Sequence, residues 1–182
     1  MARDSETAAQ HFLLRRWHVR RKKMGMRSRI PDLITAAVLV RIAWIDHKTM
    51  EIPDRLTILP VILAFVTMFL PGGPSFLERG IGALCIAAPM YLICLRIPEA
   101  FGDGDIFLIA AMGFYMGWKL LLFGVFSGFV LGGVEACCLL ITKKIRWGEG
   151  SHIAFCPALC SGLFFALFFG DKVISWYMGL LR

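Results

Sequence analysis

The chain has 182 residues, of which 58% are hydrophobic and 13% aromatic, and its mean hydropathy is +0.68. Soluble domains hold roughly 45–50% apolar residues, so the composition excludes an ordinary soluble domain and predicts a membrane protein. The formal net charge of +7 is concentrated at one end, since Arg3, Arg15, Arg16, Arg20, Arg21, Lys22, Lys23, Arg27 and Arg29 all precede the first apolar stretch. Beside a membrane such a block sets topology or meets anionic headgroups, so the bilayer is an expected partner and nucleic acid is not.

Residues 1–30 form this basic tail, and residues 31–182 are expected to form one membrane domain. Within the tail, residues 11–17 (HFLLRRW) carry a weak apolar patch, compatible with an amphipathic helix on the membrane or with disorder. No cleavable signal peptide is visible, because the basic start runs into a long span without a small-residue cleavage site.

Six apolar segments follow, at residues 33–45, 56–70, 81–95, 106–118, 120–142 and 152–170. A spanning helix needs about 20 mostly apolar residues, so the first four must borrow flanking polar residues or thin the bilayer. Breakers punctuate the loops: Ile52-Pro53, Pro71-Gly72-Gly73-Pro74, and Gly102 with Gly104. No segment alternates as a strand does, and an open sheet cannot satisfy its backbone in lipid. The fold class is therefore an all-α membrane protein, a polytopic bundle of about six transmembrane helices. Residues 171–182 are too short to span and are expected at the interface on Trp176 and Tyr177. Gly124, Gly128 and Gly132 recur every four residues, as at a helix-packing face.

The six cysteines, Cys85, Cys94, Cys137, Cys138, Cys156 and Cys160, all lie in apolar segments without CxxC or zinc spacing. They read as free thiols acting as small hydrophobes, and no metal site is expected.

Charge counting gives a conflict. With six spans, the face carrying Lys48, Arg55, Arg96, Lys143, Lys144 and Arg146 outweighs the face carrying Arg79, Lys119, Lys172 and Arg182. By that count it is cytoplasmic. The basic tail argues the reverse: either it is translocated, or a segment near it does not cross.

Two carboxylates stand out. Asp46 ends the first apolar segment and Asp105 begins the fourth, so six spans put both on one face. A charged carboxylate is costly at the edge of hydrocarbon. Two close together share a proton, the arrangement in which one activates water while the other protonates a scissile carbonyl. Gly102 and Gly104 lack Cβ atoms and would let substrate and water approach Asp105. The competing reading is that both are helix-end residues, with Asp105 capping its helix.

Together, DHKTMEIPDRLTILP after Ile45 and FGDGD at residues 101–105 resemble the type IV prepilin peptidases. In that family one catalytic aspartate precedes an I-P-(D/N) element and the other closes a G-x-G-D motif. Here these are Asp46 before Ile52-Pro53-Asp54, and Asp105 closing Gly102-Asp103-Gly104-Asp105. The final segment also resembles the family's last span, so the resemblance covers about residue 30 to the end.

It implies a membrane aspartic endopeptidase that removes the basic leader of type IV prepilin-like precursors at the bacterial inner membrane, with its site facing the cytoplasm. Asp46 and Asp105 would be the catalytic pair, with Pro53, Asp54, Gly102 and Gly104 supporting substrate or loops. No cofactor is implied for proteolysis. S-adenosylmethionine would be needed only for N-methylation, which long relatives with a cysteine-bearing domain perform; a short, peptidase-only form is expected here. Two positions depart from the pattern: Phe107 stands where many relatives have lysine, and Ala154-Phe155-Cys156-Pro157 replaces the usual P-F-G-P.

Among other polar residues, Asp103 is expected in solvent, Glu51 and Asp54 facing water or the leader, and His47 and His152 at the interface. Glu135, within the fifth segment, is expected to be structural, protonated or paired with Arg41. If Asp46, Asp105 and Glu135 instead lined a proton or cation path, the chain would be a non-enzymatic subunit of a secretion or transport assembly. A presenilin-type G-x-G-D protease is disfavoured by the I-P-D element.

Overall fold

The computed structural model describes residues 29–49, 54–70, 73–97, 101–141 and 155–180. The expectations for the basic tail, Glu51, Pro53, the side chain of Asp54, and His152 lie outside the described residues.

Among the described residues, seven helices occur in the order α1 (Arg29–Thr49), α2 (Asp54–Met68), α3 (Phe76–Cys85), α4 (Ala87–Arg96), α5 (Asp103–Met116), α6 (Trp118–Ile141) and α7 (Cys156–Leu180). The described residues contain no strand. Helices α3 and α4 form one pass broken at Ile86. Pro89 explains the break, since its ring clashes with the carbonyl four residues earlier, at Cys85 where α3 ends. Taking that pair as one, the described residues hold six helical units, matching the six apolar segments. Three stretches, Phe76–Arg96, Trp118–Cys138 and Cys156–Tyr177, are long and apolar enough to cross a membrane, and Arg55–Met68 is a shorter apolar helix. The molecule is an all-α, multi-pass membrane protein.

The C-terminal end departs from expectation. Instead of a separate interfacial tail, α7 runs unbroken through residues 171–180. Gly170 does not end the helix; a Cβ there would stand 2.6 Å from Leu120 Cδ2, so the glycine brings α7 close to α6. Trp176 and Tyr177 are exposed near the end of that helix.

Long α6 and α7 pack side by side through the glycine stripe, and α7 also packs on α1. Added Cβ atoms would meet Leu163 and Ala166 at Gly124, Leu159 at Gly128, and Phe155 and Ala158 at Gly132. Close backbone approach is what small residues supply when no hydrophobic force drives helices together in lipid.

Short α5 is the centre of the bundle, packed against α2, α3 and α6. Leu108, Ile109, Met112 and Tyr115 are all at most 1% exposed. At its far end Arg79, fully buried in α3, donates to the carbonyls of Pro74, Phe114 and Tyr115 and to the Thr67 hydroxyl. The Tyr115 hydroxyl donates to buried Asp32 of α1 at 2.7 Å. Gly117, at φ 81°, then turns the chain directly into α6.

Asp32 meets the far end of α5, whereas Asp46 interacts with Asp105 at its beginning. Helix α1 therefore runs the length of the bundle alongside α5.

Candidate active site

The site lies where α5 begins, α1 ends and α7 begins. Gly102 is the N-cap of α5 in an extended conformation, and no side chain caps that helix. Asp105 therefore does not act as the cap; only its backbone N–H bonds back, to the Gly102 carbonyl at 3.0 Å. Its side chain turns inward instead, within electrostatic range of Asp46 and of the Cys156 thiol. Asp46 itself is 6% exposed. The two aspartates, 59 positions apart in sequence, are thus brought into one site by three helices.

Each carboxylate keeps an unused oxygen. Asp46 Oδ2 and Asp105 Oδ1 are buried without a hydrogen-bond partner. Buried polar atoms are normally satisfied, and an orphan calls for an explanation such as a catalytic role or a bound water. Two such orphans on carboxylates within electrostatic range of each other are unused acceptor sites of the kind a shared water or a substrate carbonyl requires.

Gly102 needs no special backbone freedom, since its φ of −66° suits any residue. Its contribution is space: a Cβ would sit 3.7 Å from Asp105 Oδ2, over the carboxylate. Gly104 is half-buried in the first turn of α5, and Asp103 is exposed beside it. His47 and Lys48 are exposed on the same face. Among the described residues, no group of three or more His, Cys, Asp or Glu side chains has the arrangement of a metal site.

Cys156 is the buried free thiol expected of it, at a place composition does not show, whereas Glu135 departs from expectation. Cys156 is buried against Asp105, with its sulfur 3.7 Å from that of Cys160. The signal for it was its position in place of the glycine of P-F-G-P. Glu135 is exposed on the outside of the bundle. Because Gly132 packs beside Phe155, Glu135 lies near the end of the span, level with the start of α7 rather than deep in the apolar layer. Arg41 is also exposed, and the two form no ion pair. None of the cysteines is in a disulfide, and Cys137 and Cys138 are exposed.

The model of the type IV leader peptidase family matches residues 33–137, a span that contains both Asp46 and Asp105. The chain is similar to the prepilin leader peptidase/N-methyltransferase of Neisseria gonorrhoeae, at 30% identity over 155 residues, covering 80% of this chain and 52% of that protein. It is likewise 29% identical over 154 residues to the Bacillus subtilis protein of the same name, covering 81% of this chain and 59% of the relative. A Burkholderia pseudomallei protein of that name is 35% identical over 142 residues, 74% of this chain and 44% of its own length. The chain thus spans about half the length of the curated relatives it matches. No solved structure gives a significant match. The matched span covers more than half of the chain and both aspartate motifs, so the chain belongs to the type IV leader peptidase family.

Proposed function

We propose that this protein is a membrane-embedded aspartic endopeptidase that removes the leader of type IV prepilin-like precursors. The observation that carries the reading is the pair of orphan oxygens, Asp46 Oδ2 and Asp105 Oδ1, on two interacting carboxylates at one end of the bundle. Like charges held together cannot both ionise easily, so the pair holds one proton between them. The ionised carboxylate takes a proton from water as it attacks the scissile carbonyl carbon, and the protonated one donates to the carbonyl oxygen. Collapse of the resulting diol breaks the C–N bond, and the new amine takes up a proton. Gly102 leaves the approach to Asp105 open, with Gly104, Pro53 and Asp54 assigned to loop and substrate support.

The reaction requires neither metal nor cofactor. S-adenosylmethionine would serve only a retained methyltransferase activity, which the relatives' name includes and this proposal does not. The substrate class follows the relatives, whose printed name is that of prepilin leader peptidases. The site face is assigned to the cytoplasmic side of the bacterial inner membrane.

The test is co-expression with a prepilin precursor, followed by gel analysis of precursor shortening. Wild type shortens the precursor, while Asp46→Asn and Asp105→Asn each lose activity by on the order of 10³-fold or more, as expected for members of one catalytic unit. Both variants still insert. Cleavage by either variant at the wild-type rate would falsify the assignment.

A further inference from the structure

We propose that Thr57 is a third polar group of this site and that its hydroxyl contacts the attacking water. The inference rests on the peptidase reading above. Thr57 is 1% exposed, and its Oγ1 is buried without a hydrogen-bond partner. Four side-chain atoms among the described residues share that condition: Asp46 Oδ2, Asp105 Oδ1, Thr57 Oγ1 and Thr35 Oγ1. The first two are the dyad.

Helix register places Thr57 with them. Helices α2 and α5 run in the same direction, both beginning on the site face, and they pack together. The Phe65 and Phe114 rings meet at a tilt with centroids 5.3 Å apart, and Arg79 bridges Thr67 and Tyr115. Both helices rise about 1.5 Å per residue. Stepping back equally along both, the first contact sets Thr57 level with Ile106 and the second sets it level with Asp105. Across the α1–α2 hairpin, Asp46 stands three residues before the end of α1 and Thr57 three after the start of α2. Among the described residues, α2 packs extensively on α1 and α5, the two helices that carry the aspartates. A side chain this buried lies in their shared interface.

A hydroxyl both donates and accepts, so it can orient a water that must give its proton to one carboxylate while keeping a lone pair aimed at carbon. Thr35 has the same orphan hydroxyl, is fully buried, and lies about 16 Å along α1 from Asp46, given the helical rise. It serves as the internal control.

The experiment compares wild type, Thr57→Val, Thr57→Ser and Thr35→Val in proteoliposomes containing a prepilin precursor, measuring kcat, KM and thermal unfolding. Valine matches threonine in shape and removes an unsatisfied hydroxyl, so neither valine variant should lower the unfolding temperature. Thr57→Val is expected to lose roughly 10- to 100-fold in kcat with KM within about twofold. Thr57→Ser should stay within about threefold of wild type, and Thr35→Val should be unchanged. If wild type cuts and Thr57→Val keeps its kcat, or Thr57→Ser loses as much as Thr57→Val, the inference is overturned while the peptidase reading stands. If wild type leaves the precursor uncut, both fall.

Discussion

Asp46 and Asp105 occupy helix ends of opposite sense, and each would be unremarkable alone. The catalytic role proposed for them rests on their unused buried oxygens and their mutual electrostatic influence. Glu135 is the contrasting carboxylate. It resides in the same apolar stretch that made it a candidate for an ion path, yet it is exposed on the outer wall of α6, away from the interior where Asp46 is buried. Removing its charge should therefore leave catalysis intact. In the precursor-cleavage assay Glu135→Gln is expected to stay within about twofold of wild type, the usual range for a surface substitution without buried partners. A loss matching that of the aspartate variants would restore the ion-path reading.

At the scale of elements, the position of Asp105 depends on how α5 is held. Gly82 of α3 and Gly113 of α5 meet backbone to backbone, and a Cβ on either would collide with the other's carbonyl. Gly113→Ala is expected to cost about 1–3 kcal/mol through overpacking and to lower cleavage with it, because the displaced helix carries Asp105. Thermal unfolding in detergent and the cleavage assay read the two effects. Gly80, in the same helix as Gly82, has nothing within 4 Å of an added Cβ. Gly80→Ala should be neutral or stabilising by roughly 0.5–1 kcal/mol from helix propensity. Equal destabilisation by both would show that generic helix effects, not the Gly82–Gly113 approach, decide the outcome.

At the scale of the whole molecule, the fold bears on the charge conflict. Arg79 is fully buried among carbonyls and the Thr67 hydroxyl, so it drops out of the loop charge on the face opposite the site. On the site face Lys48, Arg55 and Arg96 are all exposed. That asymmetry favours a cytoplasmic site. Cysteines introduced at Lys48 and Lys119 in a background without native cysteines would test it with a membrane-impermeant maleimide. The cysteine at 48 should label only in inverted vesicles and that at 119 only in intact cells. The reverse pattern would turn the molecule over.

Much of this was legible in the chain itself. Six apolar segments with breakers between them specified a helical bundle, because lipid leaves the backbone few other ways to satisfy its hydrogen bonds. Segment parity put Asp46 and Asp105 on one face, and the glycine stripe marked the α6–α7 seam. Other features depend on packing between elements distant in sequence. Nothing local distinguishes the buried hydroxyl of Thr57 from an ordinary helix threonine, or inward-facing Cys156 from outward-facing Cys137. The last apolar segment ended at Gly170, yet that glycine lets α7 press against α6, since a glycine's meaning depends on what comes close to it. Periodicity and solvent preference are properties of a segment and are written in the sequence. Which oxygen is left without a partner depends on three helices meeting, and only the tertiary structure decides that.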